Sequence, residues 1–98
     1  MNALNRVNVF DEAYAACEKL KLKYPSDASI DSVLRQIEYL RELNSGARKD
    51  AIRLDDIIVD VLATREIAAL DESVADMLAD VMEEVVKMKR ERNSGRFL

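Results

Sequence analysis

Apolar residues recur along most of this chain at steps of three and four, the spacing that lines one face of an α-helix. Val7, Phe10, Tyr14, Cys17, Leu20 and Tyr24 share such a face and predict a helix from Asn5 to Lys23. Tyr24-Pro25-Ser26-Asp27 ends it, because proline lacks the amide hydrogen that continues the ladder and disfavours helical geometry at the residue before it. A second helix is predicted from Ser29 to Asn44, with Asp27 or Ser29 capping its first turn. Ile30, Val33, Leu34, Ile37 and Leu40 form its apolar face, and Gly46 suits the left-handed residue that commonly ends helices. Tyr39 falls off that face, about 200° from Ile37 at 100° per residue, beside Gln36 and Leu43.

The next stretch, Asp55 to Asp71, is the most apolar run of the chain and also one of its most acidic. Ile57 to Leu62 is apolar except for Asp60, which is too broad for a helix with one thin apolar stripe. The pattern predicts a central helix from Asp50 to Ala69. Its main face is Leu54, Ile57, Ile58, Val61, Leu62, Ala68 and Ala69, with Arg65 projecting from the middle and in need of a carboxylate or carbonyl partner. Asp56, Asp60, Ala63 and Ile67 lie on the opposite, uncovered side. A fourth helix starts at Asp71, a good N-cap, followed by Glu72, which complements the helix dipole. Val74, Leu78, Val81, Met82, Val85 and Met88 make its apolar stripe, and Glu72, Asp76, Asp80 and Glu83 its far side.

The predicted architecture is therefore all-α, a compact antiparallel bundle of about four helices. Two Gly and one Pro in 98 residues leave little punctuation for a many-stranded fold. Ninety-eight residues make a single domain with a modest core. We place that domain at residues 1–92 and a flexible C-terminal tail at 93–98. No apolar run approaches the roughly 20 residues needed to cross a bilayer, and the N-terminus lacks the pattern of a signal peptide. With a single cysteine no intrachain disulfide can form, so a cytoplasmic setting is the simplest expectation.

Charge is unevenly spread. Residues 50–86 carry 11 Asp/Glu against 2 Arg, a net of −9, within a chain whose total is −4. This balance argues against nucleic acid as a partner and for an electrostatically steered protein partner or plain solubility. Catalysis is poorly supported. There is no histidine, so the commonest general base and metal ligand is missing. Neither glycine sits in a phosphate-cradling loop, and Cys17 reads as a buried inert thiol. The carboxylates face away from the apolar stripes and do not form the inward Glu-x-x-His set of a bundle metal site, so we expect no metal, no cofactor and no catalytic residue.

The spacings Asp56/Asp60 and Asp76/Asp80/Glu84 place like charges one turn apart, which costs a helix about a few tenths of a kcal/mol per pair. Such a run is either a solvated face or a binding surface. Tyr39 has the same two readings, as a residue packed by another helix or as an exposed interface anchor.

Tyr24-Pro25, then Gln36-Ile37-Glu38-Tyr39-Leu40, then Arg65-Glu66-Ile67 followed by Asp71, resemble the small all-helical immunity proteins of type VI secretion systems. Those proteins neutralise NAD(P)-glycohydrolase toxins and related ADP-ribosyltransferase-like toxin domains. The likeness spans residues 10–86. Asp60 stands where a glycine often precedes the Arg-Glu pair in such proteins. The resemblance implies a non-enzymatic protein that binds a cognate toxin domain and covers the cleft where its dinucleotide enters. On this reading Gln36, Tyr39, Asp56, Asp60, Ile67, Asp76 and Asp80 are the candidate partner contacts, and Arg65, Glu66 and Asp71 have structural roles. The rival expectation is a helical adaptor that forms a homodimer through its second or fourth helix.

Overall fold

The computed structural model describes residues 3–95, with side chains from 5 to 93. Helix α1 spans Ala3–Lys23 and α2 spans Ala28–Ser45. A 3-10 turn over Ile52–Asp56, a single-turn helix α3 over Val59–Leu62 and a π turn over Ala63–Ile67 come next. Helix α4, Glu72–Gly95, completes an all-α bundle. It continues past the expected end of the domain at residue 92; residues 96–98 of the expected tail lie outside the described residues. No helix among the described residues is long and apolar enough to cross a membrane.

The ends of α2 follow from local chemistry. Asp27 is extended at φ −80° and ψ 112°, and its Oδ1 accepts the amides of Ser29 at 2.8 Å and Ile30 at 3.2 Å. The first turn of the helix thereby gains acceptors for two of its unsatisfied amides. At the other end Gly46 has φ +87°, a left-handed conformation open to glycine, and donates to the Leu43 carbonyl at 3.3 Å.

α1 lies between α2 and α4. Phe10, Cys17 and Leu20 meet Ile30, Val33, Ile37 and Leu40 of α2 and Leu78, Val81 and Val85 of α4 in one core. Val7 and Tyr24, expected on the apolar face of α1, mark its edges and stay partly exposed. A polar clamp ties α1 to α4. Arg6 Nε donates to Glu84 Oε1 at 3.0 Å, and its Nη1 and Nη2 donate to the two Glu91 oxygens at 3.0 and 2.9 Å. Lys87 donates to the other Glu84 oxygen at 3.1 Å. Among the described residues Glu84 is the one charged residue found in the core, and this pairing keeps its carboxylate satisfied there.

The third predicted helix is not one helix. Ile57 is extended at ψ 121° and Ile58 is non-helical at φ −130° and ψ 31°. Ile57, Ile58 and Val59 form a β-branched run, which loses side-chain freedom in a helix and accepts extended backbone readily. The break resets the helical phase of residues 59–67. Val59, Ala63 and Ile67, spaced four apart, point into the core, while Ile58, Val61 and Arg65 point out. Beyond the break the expected placements of Val61, Ala63, Arg65 and Ile67 are thus reversed, whereas Asp60 is exposed and Leu62 packs partly buried against the core. Ile67, placed on the uncovered side by its periodicity, is fully buried, and Arg65, placed on the core face, is exposed. One extra residue is then absorbed in the π turn, where the Ala68 amide reaches the Ala63 carbonyl at 2.8 Å.

Candidate partner-binding surface

The segment 47–71 runs like a strap over α2 and α4, and side chains from those helices hold it. The Tyr39 hydroxyl donates to the Asp50 carbonyl at 2.7 Å. Gln36 Oε1 accepts the Ile58 amide at 2.8 Å, and Gln36 Nε2 donates to Ser32 Oγ at 3.2 Å. Arg92 Nη1 donates to the Ala51 carbonyl at 3.3 Å and Nη2 to Asp55 Oδ1 at 3.1 Å. Tyr39 is buried rather than exposed, but the contacts on it come from the strap and not from another helix: the residue is 8% exposed and the Arg48 guanidinium lies over its ring at 5.3 Å. Burial pushes its hydroxyl above the ordinary tyrosine value, and the nearby Asp50 charge adds to the shift. Gln36 and Tyr39 therefore fasten the strap rather than stand as free anchors. Ile67 lies in the core and presents no surface to a partner in this conformation.

The strap divides the remaining candidates. On one side Asp60, Thr64, Glu72 and Asp76 rim a groove of about 430 Å³ floored by Ala63, Ala68, Ala75 and Ala79. No cation among the described residues lines it. Asp60 Oδ1 accepts the amide of its own neighbour Val61, at 2.9 Å. Asp76 and Glu72 are exposed and take part in no ion pair among the described residues. Asp80 is exposed one turn further along α4, outside the groove. On the other side of the strap Asp56 lines a separate depression with Arg35 and Arg53. Asp56 and Asp60, which an unbroken helix would place one turn apart on one face, are thus sent to different sides by the break between them.

Periodicity alone does not find this groove, because its floor depends on the exchanged phase of Ala63. The available signal is the pair Ala75 and Ala79, small residues one turn apart beside the carboxylates of α4. The acidic run of α4 is also shorter than its spacing suggests, since Glu84 turns inward to Arg6. Asp71 caps α4 as expected, its Oδ1 accepting Ser73 N at 3.0 Å and Val74 N at 3.3 Å. The Ser73 hydroxyl, then these amides, hold its carboxyl below the usual range. Glu66 is exposed beside Arg65.

Nucleophilic chemistry finds no foothold at Cys17, whose thiol is fully buried and pushed up to about 11 by desolvation. Among the described residues no group of His, Cys, Asp or Glu is placed to hold a metal ion.

The model of the Tsi6 family matches residues 5–88. This chain belongs to the Tsi6 family, a family of type VI secretion immunity proteins. The match takes in α1, α2, the whole strap and α4 as far as Met88, so both the acidic groove and the segment that frames it lie within the Tsi6 region. The resemblance read from residues 10–86 falls inside the same stretch. No curated protein and no solved structure matches the chain.

Proposed function

We propose that this protein is a cytoplasmic immunity factor that binds the catalytic domain of a cognate secreted toxin and covers its active-site cleft, performing no reaction itself. The toxin we infer is an NAD(P)-degrading or ADP-ribosyltransferase-like domain. The observation that carries this reading, beside the family, is the groove rimmed by Asp60, Glu72 and Asp76. Its carboxylates take part in no ion pair among the described residues, and its alanine floor admits a long side chain. A cleft that binds the phosphates of a dinucleotide is generally positive, and an acidic surface is steered towards it and complements it on docking. Asp80 extends the same acidic face along α4.

The test is kinetic. Asp60→Lys with Asp76→Lys should slow association with the toxin domain and flatten its dependence on salt, because exposed charges act mainly on the encounter rate. Stoichiometric wild-type protein should preserve NAD in the presence of the toxin domain, and the double variant should need an excess. Unchanged association at low salt would place the toxin elsewhere on the molecule.

A second reading is a homodimer, favoured by the exposed apolar residues Ile52, Ile58, Val61 and Val86. Sedimentation separates the two: a monomer throughout the micromolar range leaves no role for it.

A further inference from the structure

The acidic groove specifies more about its occupant than the sign of its charge. One wall is the strap segment of α3 and the π turn, which contributes Asp60 and Thr64; the other is the start of α4, which contributes Glu72 and Asp76. Alanines from both walls make the floor. Every polar side chain that lines the groove offers acceptors alone. Carboxylates accept hydrogen bonds and do not donate them. The Thr64 hydroxyl already donates its hydrogen to the Asp60 carbonyl at 3.1 Å and has lone pairs left. Asp60 Oδ1 holds the Val61 amide, which leaves Oδ2 for a ligand.

The chain does not answer this charge itself. Asp60, Glu72 and Asp76 take part in no ion pair among the described residues, and Arg65, next to Thr64 in the chain, does not line the groove. The start of α4 is the positive end of a helix dipole. Asp71 takes up its first amides, and Glu72 lies in its first turn. The dipole therefore offsets part of the Glu72 charge, while Asp60 and Asp76, one from each wall, keep theirs.

We infer that the groove takes the side chain of one arginine from the protein partner, its methylenes on the alanine floor and its guanidinium between Asp60 and Asp76. A guanidinium is planar and carries five N–H donors along its edges, which suits acceptors set on two walls. An ammonium is a compact, strongly hydrated point charge and suits them less well. The stem of an arginine gains from apolar contact while its head stays with the carboxylates. The rival occupant of three carboxylates is a hard metal ion. It needs its oxygens to converge within about 2.0–2.6 Å of one point, and no group of three acidic side chains among the described residues is placed to do so. The inference rests on the proposed function for the identity of the partner and deepens it by naming the side chain that enters.

The test uses the whole protein and follows the methyl resonances of the floor, Ala63, Ala68, Ala75 and Ala79, by NMR while acetyl-Gly-Arg-Gly-amide is added at constant ionic strength. The expected result is a saturable shift of these methyls. The matching lysine peptide should bind several-fold more weakly. The citrulline peptide, which keeps the shape and loses the charge, should bind at least about tenfold more weakly. Asp60→Asn with Asp76→Asn should abolish the shift. Ala79→Leu, which keeps every charge and fills the floor, should weaken binding at least about tenfold. Circular dichroism should find both variants folded, because the three side chains are exposed. A lysine peptide or Mg²⁺ that binds as tightly at the same methyls overturns the guanidinium assignment. The absence of any saturable shift, or a shift that survives both variants, overturns the site. No toxin enters this titration, so its failure is distinct from failure of the immunity reading. Unchanged toxin association in the Asp60→Lys/Asp76→Lys variant beside a saturable titration would keep the site and remove the toxin from it.

Discussion

The side-chain carbonyl of Gln36 accepts the backbone amide of Ile58 at 2.8 Å, across 22 residues of sequence. The Ile58 amide sits at the point where the helical ladder is broken and would otherwise lack an acceptor. A residue that the sequence marks as a partner contact is thus the acceptor that stabilises the break, and the break decides which residues face out.

Removing that acceptor should loosen the strap. Gln36→Ala is expected to lower stability by about 1 kcal/mol, the net worth of one such hydrogen bond. Hydrogen exchange at the Ile58 amide should accelerate more than the global loss accounts for. Equal acceleration at Ile58 and at core amides such as Leu78 would mean that the bond supports the whole fold and not the break.

The Arg6–Glu84 pair gives an asymmetry between single and double substitutions. Arg6→Met leaves a buried carboxylate with Lys87 alone and should cost about 3 kcal/mol, whereas Arg6→Met with Glu84→Leu should recover much of that loss. Thermal melts of the two variants check it, and equal losses would contradict the role of the pair.

The same pair sets an acid-side pH dependence. Burial pushes the Glu84 carboxyl up, but the hydrogen bonds from Arg6 and Lys87 outweigh it and leave it below the ordinary value of 4.5. The Arg6 hydrogen bonds hold Glu91 below its ordinary value too. A carboxyl depressed in the folded state contributes stability that is present above the unfolded value and lost as pH falls through the folded one. Denaturant midpoints should therefore drop below about pH 4.5, and Arg6→Met should flatten that slope.

Arg65 and Ile67 are two residues apart and should respond oppositely. Arg65→Leu, at an exposed position with no ion pair among the described residues, is expected to stay within about 0.5 kcal/mol of the parent. Ile67→Ala, at a position with no exposure, should cost about 2–5 kcal/mol. A large loss for the arginine variant would restore it to the core.

Cys17 should resist thiol reagents in the native state. Its thiol is pushed up to about 11 from an ordinary 9.0, which lowers the thiolate fraction at pH 8 roughly a hundredfold. Modification should appear only in denaturant. Rapid labelling of the native protein would show that α1 opens.

Several elements are legible in the sequence because their causes are local. Pro25, the Asp27 cap and Gly46 bound α2 within a few residues of where the chain pattern puts them. The stripe from Val74 to Met88 places α4, and the burial of Cys17 follows from its neighbours on one face. Net charge and spacing likewise mark the acidic half of the molecule.

The faces of residues 57–67 were beyond that reach. A periodic reading assumes an unbroken helix, so one non-helical step at Ile57–Ile58 is enough to move Val61, Ala63, Arg65 and Ile67 to another face. That step depends on an acceptor supplied by Gln36, on latches from Tyr39 and Arg92, and on core space that Val59 and Ile67 occupy. The sequence by itself determined an all-α chain, its caps, its main stripes and its acidic character, because each rests on neighbours within a turn or two. Only the tertiary structure decided that Asp60 meets Glu72 and Asp76 over a floor of alanines while Asp56 joins Arg35 and Arg53. Those meetings depend on contacts between segments far apart in the chain, which no local pattern encodes.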